Sequence, residues 1–276
     1  MVNHPADRYT PTSLDKALKL LATEELLPYA GGTDLMLSKT RNRPFLFLHR
    51  IEELKGIGES DGFIRIGAAT TYRELLESPL TPAILKEAVA SIAAPAIRNV
   101  ATLGGNIANA SPKGDGALIC FVTDSLLRLA DKDGERLVPI ADFYQGRNKT
   151  LLKPNELLVE ILMPTKWLAD YSFHKVGARK ALSISRVSFA GLFAKEGGRV
   201  AHLALAFGAI EDVVVRRPEL DGMLIGKTLP EACASIDDLL TALDTGIKPI
   251  RGRVSAEYRK QVCQNLARDF LESRVG

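Results

Sequence analysis

Between residues 94 and 115 the chain reads Ala-Pro-Ala-Ile-Arg-Asn-Val-Ala-Thr-Leu-Gly-Gly-Asn-Ile-Ala-Asn-Ala-Ser-Pro-Lys-Gly-Asp. The paired glycines are Gly104 and Gly105, with the short polar side chains of Thr102, Asn106, Ser111 and Asp115 around them. Paired glycines lack Cβ atoms and permit positive φ, so successive backbone N–H groups can turn toward one point and lie against phosphate oxygens. The polar neighbours suit the middle of a nucleotide, where diphosphate oxygens need donors and sugar or ribityl hydroxyls need an acceptor such as Asp115. A second run of the same chemistry stands far upstream, Tyr29-Ala30-Gly31-Gly32-Thr33-Asp34-Leu35, directly after Leu26 and Leu27. One glycine pair is more often an ordinary turn. Two, each with a threonine and an acid or amide beside it, could hold the two ends of one diphosphate. Thr33 and Thr102 read equally well as turn-stabilising hydroxyls, and Asp34 and Asp115 as caps.

The elements that must position these runs follow from pattern. Thr12-Ser13 caps an expected helix whose Leu14, Ala17, Leu18 and Leu21 keep i, i+3, i+4, i+7 spacing. Residues 26–30 read as a strand ending at the first glycine loop and 45–49 as the next, which puts the loop at a strand's carboxyl end, where αβ units place ligands. Ser60-Asp61-Gly62, between Ile57 and the alternating residues 63–67, is a hairpin signal that begins a second lobe. Helices are expected over 71–77, over 82–92 with Pro82 in the first turn, and over the short apolar stretch 116–121. Residues 126–129 and 136–140 pair across 131–134, and 157–163 is a strand closed by Pro164. Beyond it, 171–176, 183–194 and 200–207 make a three-stranded antiparallel meander. Helices over 230–243 and 255–275 follow, the last with Tyr258, Val262, Leu266 and Phe270 as its apolar stripe.

The 276 residues suffice for two domains, and 46% hydrophobic content fills their cores. A formal charge of +3, with no basic run interleaved with aromatics, argues against nucleic acid and membrane surfaces as partners. The start, Met-Val-Asn-His-Pro-Ala-Asp, has no apolar leader core, and no apolar run reaches membrane-spanning length, so a cytoplasmic protein without a membrane span is expected. Cys120, Cys233 and Cys263, like His4, His49, His174 and His202, are scattered too widely for a disulfide framework, a zinc site or an iron–sulfur site. Redox chemistry would therefore need an organic cofactor here and metal centres only on a partner. Trp167, the sole tryptophan, reads as covering a domain junction, and Arg98 as structural.

In order, flanks and separation, Ala30-Gly31-Gly32-Thr33-Asp34-Leu35 and Ile97-Arg98-Asn99 followed by Thr102-Leu103-Gly104-Gly105-Asn106-Ile107 resemble the two flavin loops of one family. That family is the FAD-binding (medium) subunit of the molybdenum hydroxylases, of the xanthine dehydrogenase, nicotinate dehydrogenase and carbon monoxide dehydrogenase type. The resemblance runs nearly end to end, and Ser255-Ala256-Glu257-Tyr258-Arg259-Lys260 matches the family's last helix. It implies an α+β fold: a two-lobed FAD-binding domain of the vanillyl-alcohol oxidase (PCMH) type, with lobe 1 over 1–56 and lobe 2 over 57–166. A smaller domain over 167–276, with a three-stranded antiparallel sheet and helices, completes it. It further implies FAD held by Tyr29, Ala30, Gly31, Gly32, Thr33, Asp34, Leu35, Ala101, Thr102, Gly104, Gly105, Asn106, Ala108, Gly114, Asp115, Leu158 and Lys175, with no catalytic acid or base and no metal on this chain. Lys175 is either a cation at the flavin's N1–C2 edge, where it would raise the potential, or one more solvated lysine.

The implied partners are a molybdopterin-binding large subunit and a small subunit with 2Fe-2S clusters, and the implied electron acceptor is NAD or another molecule. Thr33-Asp34 stands where some relatives have His-Ser, which fits the purine and nicotinate branches, and the cysteine-bearing insert of the benzoyl-coenzyme A reductase branch is missing. Two other readings of the same residues are a stand-alone FAD-dependent reductase of this fold and a non-catalytic scaffold subunit. The first needs a third domain and catalytic acids that the sequence does not reveal.

Overall fold

The computed structural model describes residues 9–37 and 43–276, so the amino-terminal segment read above, with His4, lies outside the described residues. The chain divides into two compact units. One holds the described residues up to Thr81 with Ala93–Ala110 and Asp124–Pro164, and the other holds Pro82–Ile92, Ser111–Thr123 and Thr165–Gly276.

In the first unit Ser13 caps the helix Leu14–Thr23, accepting from Lys16 N, and the helix buries Ala17, Leu18 and Leu21. The strands Leu27–Tyr29 and Phe45–Phe47 pair in parallel, and the first glycine run leaves the end of the former. A five-stranded antiparallel sheet follows, in the order Ile57–Ser60, Phe63–Gly67, Leu157–Pro164, Leu126–Asp131, Gly134–Pro139. Its first hairpin turns on Asp61 at φ 53 and Gly62 at φ 78, the left-handed pair that a tight two-residue turn demands. One apolar cluster joins Leu18, Leu21, Leu46, Leu48 and Ile51 to Ala130, Leu157 and Val159. Each large side chain so buried contributes roughly 1.5–3 kcal/mol. A parallel ladder of three residues is therefore held by packing more than by its own hydrogen bonds.

The strand Leu157–Pro164 is anchored at its start by Glu156, whose buried carboxylate accepts from Arg136 Nε at 2.7 Å, Arg136 Nη2 at 2.8 Å and Lys153 N at 2.9 Å. The Arg136 hydrogen bonds hold its carboxyl below the ordinary glutamate value of 4.5, against the opposing effect of burial. A depressed folded-state pKa adds stability that is complete above the unfolded value and is lost as pH falls through the folded one. Urea midpoints followed downward from pH 7 should therefore drop less steeply through the acid range in Glu156→Gln, which starts less stable, than in the parent. Parallel curves would refute this.

The second unit is built on an antiparallel sheet ordered Asp170–Val176, Val187–Glu196, Arg199–Gly208, Val215–Arg216. The short last strand extends the expected three. Residues 183–186 precede the second strand rather than belonging to it. The helix Asp115–Val122 packs on the two central strands and all eight of its residues are buried, as a helix apolar around its whole circumference must be. The single helix expected over 230–243 is two, Leu229–Ala234 and Ile236–Gly246. They break at Ser235, whose hydroxyl donates to Glu231 O at 2.9 Å and accepts from Lys227 Nζ at 2.7 Å, a local alternative to the helical ladder.

The last helix, Ala256–Val275, is capped by Ser255, but its buried face is Arg259, Cys263, Ala267, Phe270, Leu271 and Val275, and Tyr258 is 42% exposed. Every-fourth-residue sets starting at 258 and at 259 fit the helical period equally well. An arginine at its head marks the set from 259 as polar, yet inside the fold its Nη1 donates to two main-chain carbonyls. Trp167 stacks on His202 of the same unit, with ring centroids 5.8 Å apart. Among the described residues no group of three or more His, Cys, Asp or Glu side chains is placed to hold a metal, and no helix is long and apolar enough to cross a membrane.

Candidate functional site

The two glycine runs meet within the first unit. A Cβ built on Gly31 would fall 1.9 Å from Val100 O and 2.9 Å from Ala101 Cα, so the first loop rests directly on the backbone that leads into the second. Side chains reinforce the contact. Asn109 Nδ2 donates to Asp34 Oδ2 at 3.0 Å, while Asn148 donates through Nδ2 to Asn109 O at 2.8 Å and through its backbone N–H to Ala110 O at 2.9 Å. Sequence reasoning singled out neither asparagine. Asn148, left-handed at φ 55 in the turn between Tyr144–Gly146 and Lys149–Thr150, carries no local signal that aims it at Asn109.

The first run leaves donors open. Gly32 is left-handed at φ 68 and sits under the Tyr29 ring, where a Cβ would lie 2.2 Å from the phenol oxygen. The amides of Gly31, Gly32, Thr33 and Asp34 meet no acceptor among the described residues, and the first amide to bond back is that of Met36, to Gly32 O at 2.9 Å. Buried backbone donors are nearly always paired in a finished fold, and partly exposed ones such as these are left to water or to a ligand. Consecutive open ones around a left-handed glycine form a concavity suited to an anion's oxygens.

The second run works differently, and here the expectation from sequence is corrected. Thr102 caps the helix Leu103–Ala108, its Oγ1 accepting from Gly105 N at 3.0 Å, and Gly104 N donates to Ala68 O at 3.1 Å. Neither glycine has positive φ, and both amides are spent inside the fold. Gly104 lacks a side chain because a Cβ there would strike Ala68 O at 2.4 Å. With Leu103, Gly104 and Ile107 turned inward, the helix leaves Gly105 and Ala108 exposed and Asn106 half-buried. Its contribution is an outer face of small residues.

Ala101 is buried in this lead-in and accepts from Tyr72 N at 2.9 Å. Arg98 Nη1 donates to Ala93 O at 2.7 Å, the structural role expected of it. Leu158 is a buried core residue paired with Leu129 across the sheet.

Gly114, Asp115 and Lys175 come together in the second unit. Lys175 Nζ lies 2.7 Å from Asp115 Oδ2 and donates to Ser91 O at 3.0 Å, while Asp115 Oδ1 accepts from Ser185 Oγ at 2.7 Å. The paired side chains are 13% and 5% exposed, so Lys175 is not a solvated lysine. Nor is Asp115 a cap: Gly114 holds that position and Asp115 is the first helical residue, where the helix dipole favours its charge. Two desolvated charges are tolerable only with close geometry and further hydrogen bonds, and Ser91 and Ser185 supply them. Ser185, in a stretch expected to be strand, was missed because its partner is 70 residues away.

Comparison with known proteins gives a consistent result. The family model described as the FAD binding domain in molybdopterin dehydrogenase matches residues 4–166, and that of the CO dehydrogenase flavoprotein C-terminal domain matches residues 172–274. A xanthine dehydrogenase FAD-binding subunit of Escherichia coli O157:H7 is 30% identical, over 98% of this chain and 96% of that protein. The carbon monoxide dehydrogenase medium chain of Hydrogenophaga pseudoflava is 29% identical, over 96% of this chain and 95% of that one. Among solved structures, the reconstituted CO dehydrogenase from Oligotropha carboxidovorans contains a chain that superposes with a TM-score of 0.87 at 27% identity, covering 96% of both chains.

Proposed function

From the premise that this chain belongs to the FAD-binding medium subunits of the molybdenum hydroxylase family, we propose that it is the flavin-carrying electron-transfer subunit of a multi-subunit dehydrogenase of the xanthine dehydrogenase type. In this reading electrons enter from 2Fe-2S clusters on a small partner subunit, which draws them from a molybdopterin-binding large subunit, and leave to NAD or another acceptor. The observation that supports it most directly is the open row of amides at Gly31, Gly32, Thr33 and Asp34. Those donors fit the diphosphate of FAD: they are adjacent, on residues that are partly exposed or exposed, and fixed by a glycine that admits no side chain.

The small residues Gly105 and Ala108, with Asn106, fit a role of lying against the cofactor without obstructing it. Asp115 fits as an acceptor for its hydroxyls, and Lys175 as the cation that fixes Asp115. Bound FAD supplies exchange between two-electron and one-electron chemistry. The chain's part is to bind, orient and hold charge. A row of adjacent donors that meet no acceptor among the described residues favours this reading over a scaffold that binds nothing.

Titration of the purified full chain with FAD should give saturable binding at one flavin per chain, read by absorbance and fluorescence quenching. A chain that arrives without flavin and takes up none overturns the reading. Mixing the FAD-loaded chain with NADH then tests the acceptor: reduction of the flavin is expected if NAD is the partner, and a flavin that stays oxidised removes NAD while leaving the cofactor assignment intact.

A further inference from the structure

The segment Ser255-Ala256-Glu257-Tyr258-Arg259-Lys260 opens the last helix of the second unit, and packing alone does not account for it. Its Arg259 is 2% exposed, and the guanidinium donates to the main-chain carbonyls of Arg186 and Ala209. Both carbonyls belong to stretches that grip residues 112–115. On one side Ser185, the neighbour of Arg186, donates to Asp115 Oδ1 at 2.7 Å, and Arg186 N donates to Val176 O at 2.8 Å, next to the Lys175 that pairs with Asp115. On the other, Ala209 N donates to Pro112 O at 2.6 Å. One side chain therefore ties together the two stretches between which the Asp115 segment is fixed.

Ala209 gives an independent sign. Its φ is 63, a left-handed conformation that non-glycine residues rarely hold and that persists only where the surroundings fix the backbone. Here the carbonyl is fixed by Arg259 and the amide by Pro112. Taking a guanidinium out of water to serve two carbonyls is costly beside a well-packed apolar residue, so burial by itself does not call for an arginine at this position.

We infer that Arg259 is a positioning residue for the cofactor: by holding the Arg186 and Ala209 carbonyls it sets the place of Pro112 and the orientation of the Asp115 carboxylate. This rests on the FAD reading above and adds a residue that acts through the main chain.

The test uses the full chain with Arg259→Met, the conservative Arg259→Lys, and Leu271→Ala as a control. Leu271 is buried on the same helix and has no hydrogen bond to either stretch through its side chain. Two quantities are read at a temperature where circular dichroism shows each variant folded: the FAD dissociation constant, and hydrogen exchange at the Ala209 amide in the flavin-free chain. Arg259→Met should speed Ala209 exchange and weaken FAD binding by roughly tenfold or more, the scale on which outer-shell hydrogen-bond partners act at metal sites. Arg259→Lys should recover part of both, since an ammonium still reaches a carbonyl but without the guanidinium fork.

Leu271→Ala should lower the melting temperature while leaving both quantities near those of the parent. Equal effects of Arg259→Met and Leu271→Ala, or unchanged Ala209 exchange in Arg259→Met, overturn the inference. If the methionine variant does not fold, the lysine variant is judged against Leu271→Ala on the same two quantities. A parent chain that binds no FAD defeats the cofactor reading instead, and Ala209 exchange still decides whether Arg259 holds the backbone.

Discussion

Gly31→Ala is expected to weaken FAD binding by about 100-fold, the scale that a misplacement near 1 Å costs a preorganised site. The reason is steric. A methyl on Gly31 would sit 1.9 Å from Val100 O, against an ordinary contact of 3.4 Å or more, so the two backbones must part by about 1.5 Å. No side chain can swing aside to relieve this, because the obstruction is main chain. Separation of that size carries the open amides of Gly31, Gly32, Thr33 and Asp34 away from the helix Leu103–Ala108 and strains the Asp34–Asn109 hydrogen bond. The same overpacking should cost about 1–3 kcal/mol of stability in urea unfolding.

Gly32→Ala makes an informative comparison. Its methyl would meet the Tyr29 ring, which is movable, and the left-handed φ adds a penalty of only about 1 kcal/mol. Gly58→Ala, whose methyl enters open space, serves as the silent control. Flavin affinity of Gly31→Ala within a factor of two of the Gly58 variant would mean that the junction of the two loops does not hold the cofactor.

The difference between the glycine pairs shows where a sequence stops being informative. Gly31-Gly32 and Gly104-Gly105 look alike as dipeptides, yet the first leaves its amides open and the second spends them in a helix. A signal separating the two was present: Thr102 stands three residues before Gly105, the spacing at which a capping hydroxyl takes an N3 amide. Local signals of this kind were reliable elsewhere. Asp61-Gly62 made its hairpin, and Ser13 capped its helix, while Thr71 and Ser255, expected inside their helices, turned out to be the caps. Polar partners distant in sequence were invisible, among them Asn109 with Asp34, 75 residues apart, and Ser185 with Asp115, 70 apart. Such pairs carry no periodicity and no turn chemistry, because they depend on how elements far apart in the chain come together. Arg259 was hidden for a related reason: an apolar-stripe reading counts an arginine as surface, whereas two carbonyls, one just before the strand Val187–Glu196 and one just after Arg199–Gly208, make its burial tolerable.

Lys175→Met should be among the most damaging single changes in the second unit, lowering its stability by about 3–5 kcal/mol. Methionine nearly fills the volume of the lysine stem, so the loss is electrostatic: the Asp115 carboxyl group, 5% exposed, keeps its Ser185 hydrogen bond but loses the ammonium 2.7 Å away. Adding Asp115→Asn removes the stranded charge while an amide oxygen can still accept from Ser185. The double variant should therefore regain more than half of what the single variant loses, which makes the two changes strongly non-additive, as residues in direct contact are. Urea unfolding of the parent, both single variants and the double closes this cycle. Additive losses, or a Lys175→Met chain as stable as the parent, would show that the pair is no more than a surface-grade ion pair worth about 1 kcal/mol or less. Non-additivity would fix the meaning of any flavin potential shift in Lys175→Met, because a change that vanishes in the double variant comes from the uncompensated carboxylate and not from a cation missing at the flavin edge.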